Sequence, residues 1–111
     1  MSSFNVLLTD DFKRDAKKLI KKYRSIASEI KDLIESLEID PTQGEPLGRD
    51  CYKIRMAIAS KNKGKSGGSR VITCVKVLNE TVILLSIYDK SEQENIEDSK
   101  LKSLLKINDL I

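Results

Sequence analysis

Hydrophobic positions along this chain follow one period in the first third and another in the middle. Residues Phe4 to Leu8 form a short apolar run that predicts a first strand, after which Thr9 or Asp10 offers an N-cap. Phe12, Ala16, Leu19, Ile20 and Tyr23 then recur at helical spacing, one stripe of an amphipathic helix. Ser25 opens a second helix whose Ile26, Ile30, Leu33, Ile34 and Leu37 repeat the same offsets. Two helices joined by a tight turn, with both stripes on one side, predict a helix hairpin packed on a single core. The stretch "IDPTQGEPLGRD", with two prolines and two glycines, reads as a loop.

From Cys51 the period becomes two. Tyr52, Ile54, Met56 and Ile58 alternate with Lys53, Arg55, Ala57 and Ala59, which places the aliphatic set on one sheet face and Lys53 with Arg55 on the other. Arg70 to Leu78 predicts a third strand and Thr81 to Tyr88 a fourth, with Asn79-Glu80 as a two-residue turn between them. The fourth is apolar on both faces, so it belongs in the interior of a sheet, between the third strand and the N-terminal one. Leu101, Leu104, Leu105 and Ile107 predict a C-terminal helix capped by Asp98 or Ser99. The expected fold is α+β: strand, helix hairpin, three-stranded antiparallel meander, helix, in a single domain spanning residues 1–111.

Composition narrows the class. Hydrophobic residues at 40% and charged residues at 33% describe an ordinary soluble domain. No apolar run approaches the ~18 residues of a spanning helix, and the N-terminus lacks a basic region ahead of its apolar patch, so a cytoplasmic chain without membrane contact is expected. Cys51 and Cys74 lack metal-ligand spacing and the chain has no histidine, which predicts reduced thiols, no metal site and no cofactor. The net charge of +3 hides an uneven layout. Between Cys51 and Lys76 lie seven cations (Lys53, Arg55, Lys61, Lys63, Lys65, Arg70 and Lys76) and no acid, against an acidic remainder. That asymmetry points to a polyanionic partner.

Within this region "SKNKGKSGGSR" contains a Gly-Lys-Ser triplet. A phosphate loop needs a glycine five positions before Gly64 and a helix after the serine; position 59 is Ala, and a β-branched strand follows. The nucleotide-binding reading fails. What remains is a solvated connection, or a basic loop that joins Lys53, Arg55 and Arg70 in a patch following a nucleic-acid backbone.

"DCYKIRM" (residues 50–56), "KGKSGGSRVI" (63–72) and "LLSIYDKSEQENI" (84–96), in this order behind a helix hairpin, resemble the RelE/ParE superfamily of toxins from bacterial type II toxin–antitoxin modules, closest to its RelE/HigB-like subgroup. The resemblance covers nearly the whole chain. It implies a helix hairpin on one sheet face and a cationic face on the other, which enters the ribosomal decoding site and cuts mRNA there. It also implies a cognate antitoxin that covers this surface. Carried over by position, Lys53 and Arg55 match the family's two basic residues on the second strand, Arg70 its arginine opening the third, and Lys90 its cation after the fourth. Ile96 stands where the family's C-terminal catalytic tyrosine falls, which leaves Tyr88 as the candidate phenol, or else a slow or noncatalytic protein.

The chemistry can be weighed on its own terms. Cleavage by a ribose 2′-hydroxyl needs a base, stabilisation of the crowded phosphate and help for the leaving oxygen, and no histidine is present to supply the first and last. A site of Lys, Arg and Tyr must act mainly by charge stabilisation and orientation, without metal. In the expected assignment Lys53 or Tyr88 is the base, Arg70 steadies the phosphate, and Arg55 or Lys90 assists the leaving group. Lys61, Lys63, Lys65 and Lys76 would hold ribosomal RNA. Two alternatives remain: a ParE-like gyrase inhibitor, which does not need the cleaving set, and a noncatalytic RNA-binding or antitoxin-binding module.

Overall fold

The two helical stripes and the period-two strands find each other across a five-stranded sheet. The computed structural model describes residues 3–62, 64 and 67–111. Its elements are β1 (Asn5–Leu8), α1 (Asp10–Lys22), α2 (Ile26–Ile39), β2 (Glu45–Gly48), β3 (Cys51–Met56), β4 (Ser69–Lys76), β5 (Thr81–Asp89) and α3 (Asp98–Ile107). The strand order is β1-β5-β4-β3-β2, with β1 parallel to β5 and every other pairing antiparallel. Apolar β5 lies inside the sheet, flanked by β4 and β1 as its composition requires.

One face carries the helix hairpin. Phe12, Leu19, Ile26, Leu33 and Leu37 pack against Ile54, Met56, Val71, Val82 and Leu84. Each fully buried side chain of this size contributes about 1.5–3 kcal/mol. The Thr9 hydroxyl accepts a bond from Phe12 N at 3.1 Å and donates to Leu84 O at 2.9 Å, so one side chain both caps α1 and ties it to β5. The other face is half covered by α3, whose Leu101, Leu104 and Leu105 pack on Cys51, Ile72, Cys74 and Leu85. Among the described residues no helix is long and apolar enough to cross a membrane.

Four details depart from the sequence reading. The proline- and glycine-rich loop contains strand β2; an edge strand needs no donor on its outer side, so Pro46 is tolerated there. Gly44, at φ +97°, is what brings β2 in, since a Cβ there would sit 2.5 Å from Lys53 O. The third predicted strand stops at Lys76, because Val77–Asn79 closes into a 3-10 turn followed by Glu80 in the left-handed region, so the connection is longer than Asn79-Glu80. The ladder of β3 ends at Met56, and Ile58 forms only an isolated bridge beyond it yet remains fully buried. Neither predicted cap on α3 acts as one: Glu97 precedes the helix without a side-chain bond, and Asp98 lies in its first turn.

Candidate functional site

The ladder between β3 and β4 determines which cations meet. Val75 N donates to Asp50 O at 2.8 Å, so the enclosed pair Cys51–Cys74 shares no backbone bonds of its own. By alternation Lys53–Ile72 and Arg55–Arg70 are pairs of the same narrow kind, in which side chains on one face approach most closely. Arg70 also stands directly opposite Tyr88 of β5. Arg55, Arg70 and Tyr88 therefore form one row across three strands, on the face that α3 only half covers. Tyr88 reaches that face because of a bulge. Ile72 pairs with Ser86 and Thr73 with Leu84, which leaves Leu85 as an extra residue and shifts the alternation of everything after it.

The row is graded in exposure. Arg55 is exposed, whereas Arg70 is only 4% exposed and donates from Nη1 to Ser69 O at 3.0 Å. Lys53, half-buried, donates to Asn95 Oδ1 at 2.9 Å and pairs with Glu45 at 3.3 Å. An open cleft lined by Gln43, Gly44, Glu45, Lys53 and Arg55 runs beside them. Tyr88 is 7% exposed, and its buried hydroxyl has no hydrogen-bond partner among the described residues. Burial pushes this phenol above its ordinary range, and the Arg70 guanidinium offsets part of that rise. Lys90 is half-buried just past β5, its backbone N–H bonded to Gly68 O at 3.0 Å. Gly68 has to be glycine, since a Cβ would lie 2.4 Å from Met56 O.

Lys61 and Lys76 do not converge on this row. Lys61 turns to the helix-hairpin face: its ammonium bonds both oxygens of Asp89 at 2.9 and 2.8 Å and Ser91 Oγ at 2.9 Å, and lies 5.3 Å from the Tyr23 ring centroid. Burial would raise the Asp89 carboxyl, but the Lys61 ammonium and the Ser91 N–H and hydroxyl outweigh it and hold it at about 2. Lys76 sits at the far end of β4, about 20 Å along the strand from Arg70, facing Asp50 and Leu110 O. Lys63 and Lys65 lie outside the described residues. Ile96, at the position of the family tyrosine, packs into the apolar cluster under α3.

Comparison with known proteins decides the family. The profile described as RelE toxin of the RelE / RelB toxin-antitoxin system matches residues 4–111. The chain belongs to the RelE toxin family. Among solved structures it resembles the RelBE2 toxin–antitoxin complex of Mycobacterium tuberculosis, at 22% identity and a TM-score of 0.59 over 80% of this chain and 93% of that one. It also resembles two forms of the E. coli toxin RelE. A double-arginine mutant in the free state gives 21% identity and a TM-score of 0.60 over 85% and 90% of the two chains. The isolated toxin gives 16% identity and a TM-score of 0.61 over 94% and 98%. At these identities the likeness establishes the RelE fold.

On this RelE scaffold the row has a definite chemical capacity. Arg55 and Arg70 are direct cross-strand partners, so two guanidinium side chains leave the same face of the sheet as neighbours. Among the described residues no group of His, Cys, Asp or Glu could hold a metal ion. Three residues of this neighbourhood are invisible to pattern reading. Glu45 and Asn95 restrain Lys53 from elements whose approach only the fold shows, and Asp89 is a lone acid after an apolar run. The one available signal was that a carboxylate adjoining a doubly buried strand needs a cation.

Proposed function

We propose that this RelE-family toxin is a ribosome-dependent mRNA endoribonuclease that inhibits translation in the cytoplasm and is restrained by a cognate antitoxin protein. The observation that carries the reading is the row Arg55–Arg70–Tyr88, with Lys53 two residues along β3 on the same face. In the proposed reaction the ribose 2′-oxygen attacks the adjacent phosphorus, the 5′-oxygen departs, and a cyclic phosphate remains on the upstream fragment. Arg70 stabilises the charge that develops on the phosphate oxygens. Lys53 or Tyr88 takes the 2′-proton, and Arg55 or Lys90 supports the leaving oxygen. Incoming RNA displaces Glu45 and Asn95 from Lys53. The ribosome contributes what this site lacks, alignment of the attacking oxygen with the scissile bond.

A second reading has an observation of its own. Arg70 and Tyr88, the groups assigned to the chemistry, are 4% and 7% exposed, which favours a noncatalytic RNA-binding module in which only Arg55, Lys53 and the basic loop meet nucleic acid.

Translation of a defined mRNA in a reconstituted system, with new 5′ ends mapped by primer extension, separates the two. The expected result is cutting within the ribosomal A site by the wild-type protein, with a loss of a hundredfold or more (about 3 kcal/mol) in Arg70→Ala. Intact mRNA in the presence of folded wild-type protein overturns the nuclease reading and leaves the binding module.

A further inference from the structure

Cys51 of β3 and Cys74 of β4 are direct cross-strand partners, 1% and 0% exposed, and both are free thiols. The Val75 N to Asp50 O bond makes theirs a narrow pair. In such pairs the Cα atoms lie about 4.5 Å apart, inside the ~4.4–6.8 Å that a disulfide spans, and both Cβ vectors leave the same face. Directly opposite residues hold their Cβ atoms about 4.5–5.5 Å apart, so a shift of about 1 Å between the two strands lets the sulfurs join. The roof over them is α3: Leu101, Leu104 and Leu105 belong to the same buried cluster as the two cysteines. The Cys51 thiol meanwhile donates to Arg49 O at 3.4 Å.

We propose that Cys51 and Cys74 are a redox modification site, a dithiol that low-molecular-weight disulfides convert to an intramolecular cross-strand disulfide when α3 lifts. The Cys74 thiolate attacks one sulfur of the small disulfide, forming a mixed disulfide and releasing one small thiolate. The Cys51 thiolate then attacks the Cys74 sulfur, closing the protein disulfide and expelling the second. The two protons lost by the protein end on the two released thiols; the protein is oxidised by two electrons and the small disulfide is reduced. The order of attack follows the surroundings. The contact with the Cys51 thiol lowers Cys74 against the opposing effect of burial, with help from Lys76, while the same contact and burial raise Cys51. The closed bond would staple β3 to β4 on the face that carries Arg55 and Arg70, four residues further along each strand. This inference stands apart from the nuclease reading, since it concerns the thiols alone.

The test is incubation of the full chain with oxidised glutathione, alkylation of remaining thiols, and non-reducing peptide mapping by mass spectrometry. The expected product is a monomer with a Cys51–Cys74 disulfide, reversed by dithiothreitol. In Cys51→Ser the attack stops at a glutathione adduct on Cys74. Leu105→Ala, which loosens α3, should form the bond at least about tenfold faster, with circular dichroism confirming that the variant is folded. Wild-type chain in urea below its unfolding midpoint supplies the same acceleration without a substitution. Thiols that stay free in both loosened states, disulfides only between chains, or a rate indifferent to the state of α3 would each overturn the proposal.

Discussion

The two faces of the sheet are built from the same strands and follow different rules. On the helix-hairpin side, nearly every buried residue is aliphatic, and the buried carboxylate Asp89 is closed off by Lys61, whose ammonium bonds both of its oxygens. On the α3 side an apolar half, where Leu101, Leu104 and Leu105 cover the cysteines, adjoins a cationic half that holds Lys53, Arg55, Arg70 and Tyr88. The first face commits its charges to the fold. The second sets two guanidiniums side by side in one row next to a buried phenol that has no hydrogen-bond partner among the described residues, and the proposed function puts an anionic ligand there.

The largest test of this contrast is a pair of core truncations. Phe12→Ala should destabilise the protein by about 4 kcal/mol, and Leu104→Ala by about 3 kcal/mol, both read by urea unfolding. If Leu104→Ala costs less than about 1 kcal/mol, the apolar half of the second face is not a core, and the contrast between the faces has been drawn in the wrong place.

Asp89→Asn comes next. The carboxyl is held at about 2, below the ~3.9 of an unfolded aspartate, so its contribution is fully present above pH 4 and is lost as pH falls toward 2. The substitution should cost about 2 kcal/mol at neutral pH and flatten the stability profile between pH 4 and pH 2. A variant that keeps the wild-type acid slope would show that Asp89 does not supply it.

These expectations rest unevenly on what pattern reading could reach. Both helices, the meander and the interior place of β5 follow from periodicity, because burial on one face or two leaves a direct mark on residue type. Lys53 and Arg55 share a face by the same logic. Tyr88 does not. Simple alternation along β5 would group it with Val82, Leu84 and Ser86, whereas the bulge at Leu85 places Val82 and Leu84 on the hairpin face and Tyr88 beside Arg70. Lys61 was equally opaque, since a cation in a basic run reads as ligand-facing until its buried acid is seen. The β2 strand was hidden by residues that ordinarily end strands.

Tyr88→Phe probes the second face with an effect of opposite sign. Its hydroxyl is buried with no partner among the described residues, so removing it should leave stability unchanged or raise it by about 1 kcal/mol. A loss of stability would reveal a bond that the folded protein in solution makes. If the phenol is the base, cleavage by the better-folded variant should nonetheless fall steeply; if Lys53 is, it should not change.

The smallest effect concerns the edge of the site. Glu45 is mostly exposed and its pair with Lys53 is long, so Glu45→Gln should alter stability by no more than about 0.5 kcal/mol. Its consequence for binding is larger than for folding. With the carboxylate gone, Lys53 keeps the neutral Asn95 as its one partner among the described residues, and its ammonium can neutralise a phosphate without first surrendering that ion pair. Affinity for single-stranded RNA should rise a few-fold, and the dependence on salt should steepen by up to about 0.7 of a log unit per decade, the share of one added phosphate contact. The comparison sharpens if Asp89→Asn leaves that slope untouched, because Lys61 then remains a cation of the fold and Lys53 a cation of the ligand. An equal change in both variants would mean that the two faces present one continuous field to the nucleic acid.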